Sequence, residues 1–402
     1  MQYLCIQKKT NHMELSISNP FANALLIATG ILFCIQILFH LIIYISVVRN
    51  TRKASKGKIS YSEDRPPLSV ILYHNGTAEE LQENLPAILE QDYPQFEVIV
   101  ITDEKVSESV DYLKRIEHQY PQLYHSYLPD SSKWISRKKL AISLGIRASK
   151  YEWLVFTESF CKPASPLWLR LMARNVTSGT QIVLGYSYFH KEKDWKQRTR
   201  SFDNFFRSLR YLCMGLLHLP YMATGRNMAY KKELYVQNKG FGKHLDLLHG
   251  HDDLFINQVA NRKNTRVETS ADAAVSMKPL KLKKFWKEER LGYESTSRHF
   301  RGIHRHLMGF ETLTRFLFFL TVIAAIVWGC LTQNLLPIIV ASLCIIIRFI
   351  SLNIIVNQSA GILGERYRYY TTLPLLDFVQ PLQSLRWKLV YLFSDKSEYR
   401  RR

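Results

Sequence analysis

Acidic residues are in short supply in this chain: 34 Asp and Glu stand against 54 Lys and Arg, giving a formal net charge of +20. A chain this basic has nucleic acid, anionic lipid and phosphorylated ligands as candidate partners. What is missing decides among them. No long basic helix with interleaved aromatic residues occurs, which argues against nucleic acid. The basic residues gather instead beside apolar runs, at Arg49, Arg52, Lys53, Lys56 and Lys58, at Arg366 and Arg368, and at Arg400, Arg401 and Arg402. An anionic membrane surface fits that placement. Paired cysteines are missing too. Of the six, Cys34, Cys330 and Cys344 lie within apolar runs, while Cys5, Cys161 and Cys213 have neither paired nor metal-type spacing, so no disulfide framework is expected. No internal repeat is visible, which argues against a repeat-built transporter. Hydrophobic residues are 47% of the 402, too rich for disorder and too lean for a chain lying wholly in a membrane.

Three stretches are long and apolar. Residues 21–48 carry no charge other than a neutral-range histidine, His40, and a span needs only about 20 such residues. A cleaved signal peptide is the alternative reading. The run is long, starts well inside the chain and lacks a small-residue cleavage pattern before Arg49, so a membrane anchor is expected. The basic cluster after it places the following residues in the cytosol. Residues 316–331 and 335–356, separated by Thr332-Gln333-Asn334, read as a membrane hairpin whose flanks, Arg315 and Arg366, put both ends on that same side. Arg348 inside the second arm is costly in hydrocarbon and is expected to pack against a partner or snorkel. Residues 371–393 are apolar but interrupted by Pro374, Asp377, Pro381 and Arg386, which suits an interfacial or re-entrant helix. The aromatic, part-basic stretch 202–219 reads either as a helix at the membrane surface or as one packed in a core.

Between the anchors, residues 68–73 (LSVILY) and 96–102 (FEVIVIT) are β-branched runs on either side of a helical pattern over 79–91. That is a βαβ unit, and it predicts an α/β fold with a mostly parallel, Rossmann-like sheet whose ligands sit beyond the strand C-termini. Three strands end informatively, at Asn75, at Asp103 and at Glu158 after residues 153–156.

Five segments then carry a resemblance: 67–72 (PLSVIL); 89–94 (LEQDYP) followed by 96–100 (FEVIV); 138–142 (KKLAI); 225–230 (GRNMAY); and 251–254 (HDDL). In order and spacing they resemble the membrane-attached bacterial glycosyltransferases of family 2, with the GT-A fold, over roughly residues 67–300. The resemblance implies transfer of a hexose or similar sugar from a nucleotide-diphosphate donor to a lipid-linked or cell-envelope glycan acceptor, in polysaccharide biosynthesis at the inner membrane face. It places Asn75, Asp103, Lys138, Glu158, Gly225, Arg226, Asn227 and Arg290 in the nucleotide-sugar site. Asp252, with Asp253 as its alternative, becomes the base of an inverting attack. For Asp103, Asp252 and Asp253 the plain alternative is helix capping.

The family pattern also implies Mg²⁺ or Mn²⁺ held by Asp-x-Asp, because paired carboxylates gather a hard cation against a diphosphate. Here the triplet is Glu158-Ser159-Phe160, leaving Glu158 as the metal ligand and Phe160 unable to serve. The family's later Gln-x-x-Arg-Trp region is represented by residues 286–293 (WKEERLGY), where Arg290 is the phosphate-contact candidate. Two readings follow from these departures: an active transferase, or a degenerate paralogue that binds nucleotide as a scaffold or regulator of a glycan-assembly complex. By this reading the chain divides into a tail (1–20), a transmembrane helix (21–48), a basic linker (49–66), the GT-A domain (67–300), a basic connector (301–315), a transmembrane hairpin (316–356) and an interfacial helix with a basic tail (357–402).

Overall fold

The computed structural model describes residues 19–103, 107–129, 136–279 and 282–394; most of the N-terminal tail and the cluster Arg400, Arg401, Arg402 lie outside the described residues. Helix α1 (Pro20–Phe39) opens with Asn19 as its cap, the side chain accepting from Phe21 N at 2.9 Å, and with proline where a missing N–H costs nothing. One π-helical turn (His40–Tyr44) leads into α2 (Ser46–Ser55), so the basic linker begins as helix.

The sheet domain then alternates: β1 (Leu68–His74), α3 (Ala78–Leu89), β2 (Phe96–Thr102), α4 (Glu108–Glu117), β3 (Leu123–Tyr127), α5 (Arg137–Ala148) and β4 (Trp153–Glu158); the periodicity implies β1, α3, β2 and β4, and carries no reading of α4 and β3. Every residue of β1 is buried, as expected of a strand covered on both faces. The chain continues through β5 (Cys161–Pro163), α6 (Trp168–Ala173), β6 (Ile182–Leu184), β7 (Ser187–Phe189), α7 (Trp195–Leu216), β8 (Met228–Lys231), α8 (Lys232–Gln237), α9 (Asp253–Val259), β9 (Thr265–Val267), β10 (Val275–Met277) and α10 (Leu282–Ser297). Seven strands form one sheet in the order β3-β2-β1-β4-β8-β6-β9, and β5-β10-β7 form a second. β8 runs antiparallel to β4, with Met228 opposite Phe156. Residues 225–227, just before β8, therefore arrive at the same sheet edge as the C-terminal ends of β1, β2 and β4.

Helices α11 (His304–Thr332) and α12 (Leu335–Ile362) make the hairpin, turned by Gln333 at φ 55° and capped by Asn334, whose side chain accepts from Leu336 N at 3.1 Å. Both run beyond the expected hairpin, and α11 absorbs most of the connector. Three helices, Pro20–Ser55, His306–Thr332 and Leu335–Ile362, are long and apolar enough to cross a membrane. Their outer faces expose Ile27, Ile31, Leu320, Ile323, Ile346 and Ile350, a belt that would be an aggregation hazard in water. Helix α13 (Leu373–Phe393) follows, with Leu375, Phe378, Leu382, Leu385, Leu389 and Leu392 exposed at helical spacing in one stripe.

Arg348 does not snorkel. It is 2% exposed, and its guanidinium pairs with Asp377 of α13 and reaches Gln36 Oε1 of α1 at 3.1 Å. Arg315, fully buried, meets the same Asp377 at 3.1 Å and Glu311 at 3.5 Å. Of the two readings of residues 202–219, the structure shows the packed one. α7 buries Phe202, Phe205, Phe206, Leu209 and Leu212 because both of its sides are occupied: Phe206 lies 5.2 Å from the Tyr44 ring of the first span, and Phe202 5.1 Å from Tyr369.

Candidate active site

Asp103 closes β2 and is held on two sides. Tyr73 Oη donates to its Oδ1 at 2.8 Å, and Arg137 Nε at 3.0 Å. It does not cap α4; Ser107 does, accepting from Val110 N at 3.4 Å. A carboxylate oriented by a phenol and a guanidinium, and about a third exposed at 30%, is arranged to accept hydrogen bonds from a ligand at the strand end. Asn75 lies exposed just past β1. Burial raises the Tyr73 phenol's pKa, and its hydrogen bond to Asp103 adds to the shift, so it stays a donor.

Lys138, in the first turn of α5, places Nζ 3.0 Å from Glu158 Oε1 at the end of β4. Burial works against its charge, but Glu158, Asp252 and Glu289 outweigh that and raise its pKa, so it remains an ammonium. Lys139 goes elsewhere: its Nζ donates to the carbonyls of His244 and of Leu247, the latter at 2.7 Å, which ties α5 to the segment before the aspartate pair. Phe160 is buried edge-to-face against Phe285, centroids 5.0 Å apart, within an apolar cluster. The test for a metal cradle therefore goes against one. Glu158 is already paired, Phe160 has no ligand atom, and no group of His, Cys, Asp or Glu among the described residues has the makings of a metal site.

The three residues before β8 take different roles. Gly225 N donates to Asp252 Oδ2 at 2.8 Å. A Cβ at this position would lie 3.0 Å from His251 Nε2, a tight approach that glycine leaves clear. Arg226, 3% exposed, pairs with Glu289 of α10 at 2.9 Å and stacks its guanidinium over Phe285 at 5.7 Å. Asn227 is a strut: its amide donates to the carbonyls of Tyr186 and Ala273, both at 2.8 Å, and accepts from Trp168 Nε1 at 3.0 Å. Arg207 of α7 shares Glu289 with Arg226, at 3.3 Å. Burial opposes ionisation of Glu289, yet Arg226 and then Arg207 overcome it and lower its pKa. Arg290, the next residue along α10, is spent on Asp203 of α7 at 3.2 Å, with both side chains 4% exposed.

Asp252 both caps α9 and faces the site. Its Oδ1 accepts from Asp253 N at 2.8 Å, and the side chain keeps 22% exposure. Burial resists its charge, but His251, Lys138 and the N–H groups of Gly225 and Asp253 together hold its pKa below the usual carboxylate range. Asp253 is pushed the other way, by burial first and then by the Asp252 charge. Its carboxyl meets the Thr296 hydroxyl and accepts from Leu254 N at 2.6 Å. Burial also keeps His251 neutral, with both ring nitrogens unpartnered among the described residues. Two adjacent carboxyls with opposed environments divide into an ionised and a neutral member.

That division has a pH signature. A carboxyl whose folded pKa is raised contributes stability that is full below its unfolded pKa and is lost as pH rises through the folded one. Melting curves of the wild type and Asp253→Asn, taken from about pH 4 to about pH 8, should show the wild type losing stability relative to the variant as pH rises. Parallel curves would mean that Asp253 is ionised throughout.

Sequence reasoning had marked Arg226, Lys138, Glu158 and both aspartates, and the fold brings these together. It gave no role to Tyr73 or Lys139, although both lie in segments it singled out, and it missed Arg137, Arg207 and Thr296. It noted Glu289 without giving it a role, because nothing in the local pattern says which side chain α10 turns toward the sheet edge.

A family model described as Glycosyl transferase family 21 matches residues 31–385. The chain is similar in structure to the mannosyltransferase PcManGT from Pyrobaculum calidifontis, solved in complex with GDP-Man and Mn²⁺. The TM-score is 0.58 at 18% identity, over 92% of this chain and 99% of that one. It is also similar to residues 1–349 of S. aureus TarS, with a TM-score of 0.41 at 14% identity, over 81% of this chain and 91% of that one. The first likeness is one of fold: a mostly parallel α/β sheet.

Proposed function

Because the chain belongs to glycosyl transferase family 21, we propose that it transfers a sugar, with inversion, from a nucleotide-diphosphate donor to a lipid-linked or cell-envelope acceptor, working at the cytosolic face of the inner membrane. The observation that carries this reading is Asp252. It is an ionised, part-exposed carboxylate at the C-terminal edge of the sheet, held by Gly225 N and facing the cations that a leaving diphosphate needs. The acceptor hydroxyl attacks the anomeric carbon from the face opposite the leaving group. Asp252 takes the hydroxyl's proton, and the bond to the diphosphate oxygen breaks. Asp103, with Tyr73 and Arg137 behind it, receives the nucleoside.

The membrane parts fit an acceptor delivered from the bilayer. Helix α13 packs on α10, where Leu291 and Tyr391 are buried in one cluster, and its opposite side is the exposed leucine stripe. A helix of that pattern lies in a lipid interface, beside the helix that carries Glu289. Basic residues on the near side of each span support the cytosolic placement.

The second reading, a non-catalytic nucleotide-binding relative, is favoured by one observation: Phe160 where the family pattern has a carboxylate. The two separate when detergent-purified protein is incubated with labelled UDP- and GDP-sugars and a membrane-lipid extract. Label entering the organic phase as the inverted anomer supports transfer. Nucleotide binding with neither transfer nor donor hydrolysis for any donor supports the scaffold.

A further inference from the structure

We propose that the donor's diphosphate is held by the ammonium of Lys138 and the guanidinium of Arg226, which take the place of a divalent cation. This rests on the sugar-transfer reading and specifies how its leaving group is neutralised.

Each cation is fixed before any ligand arrives, and each by a single carboxylate. Lys138 has Glu158 at 3.0 Å; Arg226 has Glu289 at 2.9 Å. They belong to one site, since Arg226 lies in the field of Glu158 and Lys138 in that of Glu289. A dication seeking Glu158 meets the Lys138 ammonium already on it. The carboxylate that would complete a cradle is replaced by the Phe160 ring, which buttresses Phe285, the ring over which Arg226 sits. The aromatic substitution thus has a positive function, as part of the platform that aims the guanidinium. Arg226 also has donor capacity to spare. Its Nε is buried without a hydrogen-bond partner among the described residues, and its Glu289 is shared with Arg207. One carboxylate shared by two guanidiniums leaves N–H groups that an anion's oxygens can take.

A diphosphate offers acceptor oxygens alone, which suits an ammonium and a planar guanidinium equally. Fixed donors aimed at the place where charge develops stabilise departure of the leaving group without reorganisation. As the anomeric C–O bond breaks, its electron pair stays on the β-phosphate oxygen and is met by these two side chains. The new bond forms to the acceptor oxygen, whose proton goes to Asp252.

The experiment is calorimetric titration of the full-length, detergent-purified protein with UDP and with GDP, once in EDTA and once in MnCl₂. Wild-type affinity is expected to be the same in both. Lys138→Gln should weaken binding by about tenfold or more in either condition, the loss of one charge-assisted contact, whereas Lys138→Arg, which keeps the charge, should retain it. A melting temperature of Lys138→Gln near that of the wild type shows that the loss is not a failure to fold, and retention by Lys138→Arg shows that the charge carries the contact. Wild-type binding that requires Mn²⁺, or Lys138→Gln binding as tightly as wild type, overturns the proposal. Label transfer in the same preparations separates the two readings. Transfer that demands Mn²⁺ keeps the sugar-transfer function and rejects the cation substitution; neither binding nor transfer in any condition rejects both.

Discussion

Asp252→Asn is expected to lower sugar transfer by about 10²- to 10⁴-fold, the usual cost of losing a positioned general base, while leaving donor binding near that of the wild type. Asparagine keeps the shape but has one acceptor oxygen where the carboxylate has two, so of the N–H groups of Gly225 and Asp253, each 2.8 Å from an Asp252 oxygen, one loses its partner, at about 1–3 kcal/mol. The variant also loses a site for the acceptor's proton. The neighbouring substitution sharpens the test. Asp253 is buried and held toward its neutral form, and asparagine resembles a neutral carboxyl, so Asp253→Asn should retain most of the activity. The readout is initial rate with saturating donor. Should Asp253→Asn be the inactive variant and Asp252→Asn the active one, the proton acceptor is Asp253 and the roles assigned here are reversed.

Asp377→Ala is expected to cost about 3–5 kcal/mol of stability, the price of leaving buried charges without their partner. One carboxylate serves two arginines, Arg315 and Arg348, which are 0% and 2% exposed. Neither has water to turn to, and Arg348 stands midway along a helix long enough to cross a membrane. Glu311 remains beside Arg315, at 3.5 Å, so Arg348 is the one left stranded. Tryptophan fluorescence during denaturant unfolding in detergent measures the loss. Asp377→Asn combined with Arg348→Gln removes an orphan along with its partner and should recover part of it. A change in Asp377→Ala within about 0.5 kcal/mol of wild type, as for an ordinary surface position, would show that the pair is solvated.

The parts of the fold that were legible in the sequence are those written in local pattern. The β-branched run 96–102 is the strand Phe96–Thr102, and the strands at 68–74 and 153–158 exceed their apolar runs only where they extend toward the site. Their β-branched runs allow little else, and the three apolar stretches are fixed by length. Pairing across the fold was not legible. Arg290, a phosphate candidate by motif position, is paired with Asp203 of α7, a partner far away in the chain that no local spacing announces. Asn227, a site candidate for the same kind of reason, braces two backbone carbonyls and the Trp168 indole. Glu158, the metal-ligand candidate, is engaged by Lys138, the countercharge candidate, and nothing in either local pattern says that they meet. The family itself was legible in kind: the motifs resembled family 2, and the matching model is that of family 21.

The Tyr44 ring against Phe206 has a practical corollary. Phe39, Ile43, Tyr44 and Val47 of the first span, and Leu352, Ile355 and Val356 of the third, share a single apolar cluster with Phe202, Phe206 and Leu209 beneath the sheet. The molecule has no neck at which to cut it. A fragment begun after Arg49 to obtain a water-soluble enzyme would discard side chains that fill its own interior, and the phenylalanines left facing solvent would seek each other in neighbouring copies. A displacement of the first apolar helix would press directly on the helix that carries Arg207, because the two share side chains rather than a linker.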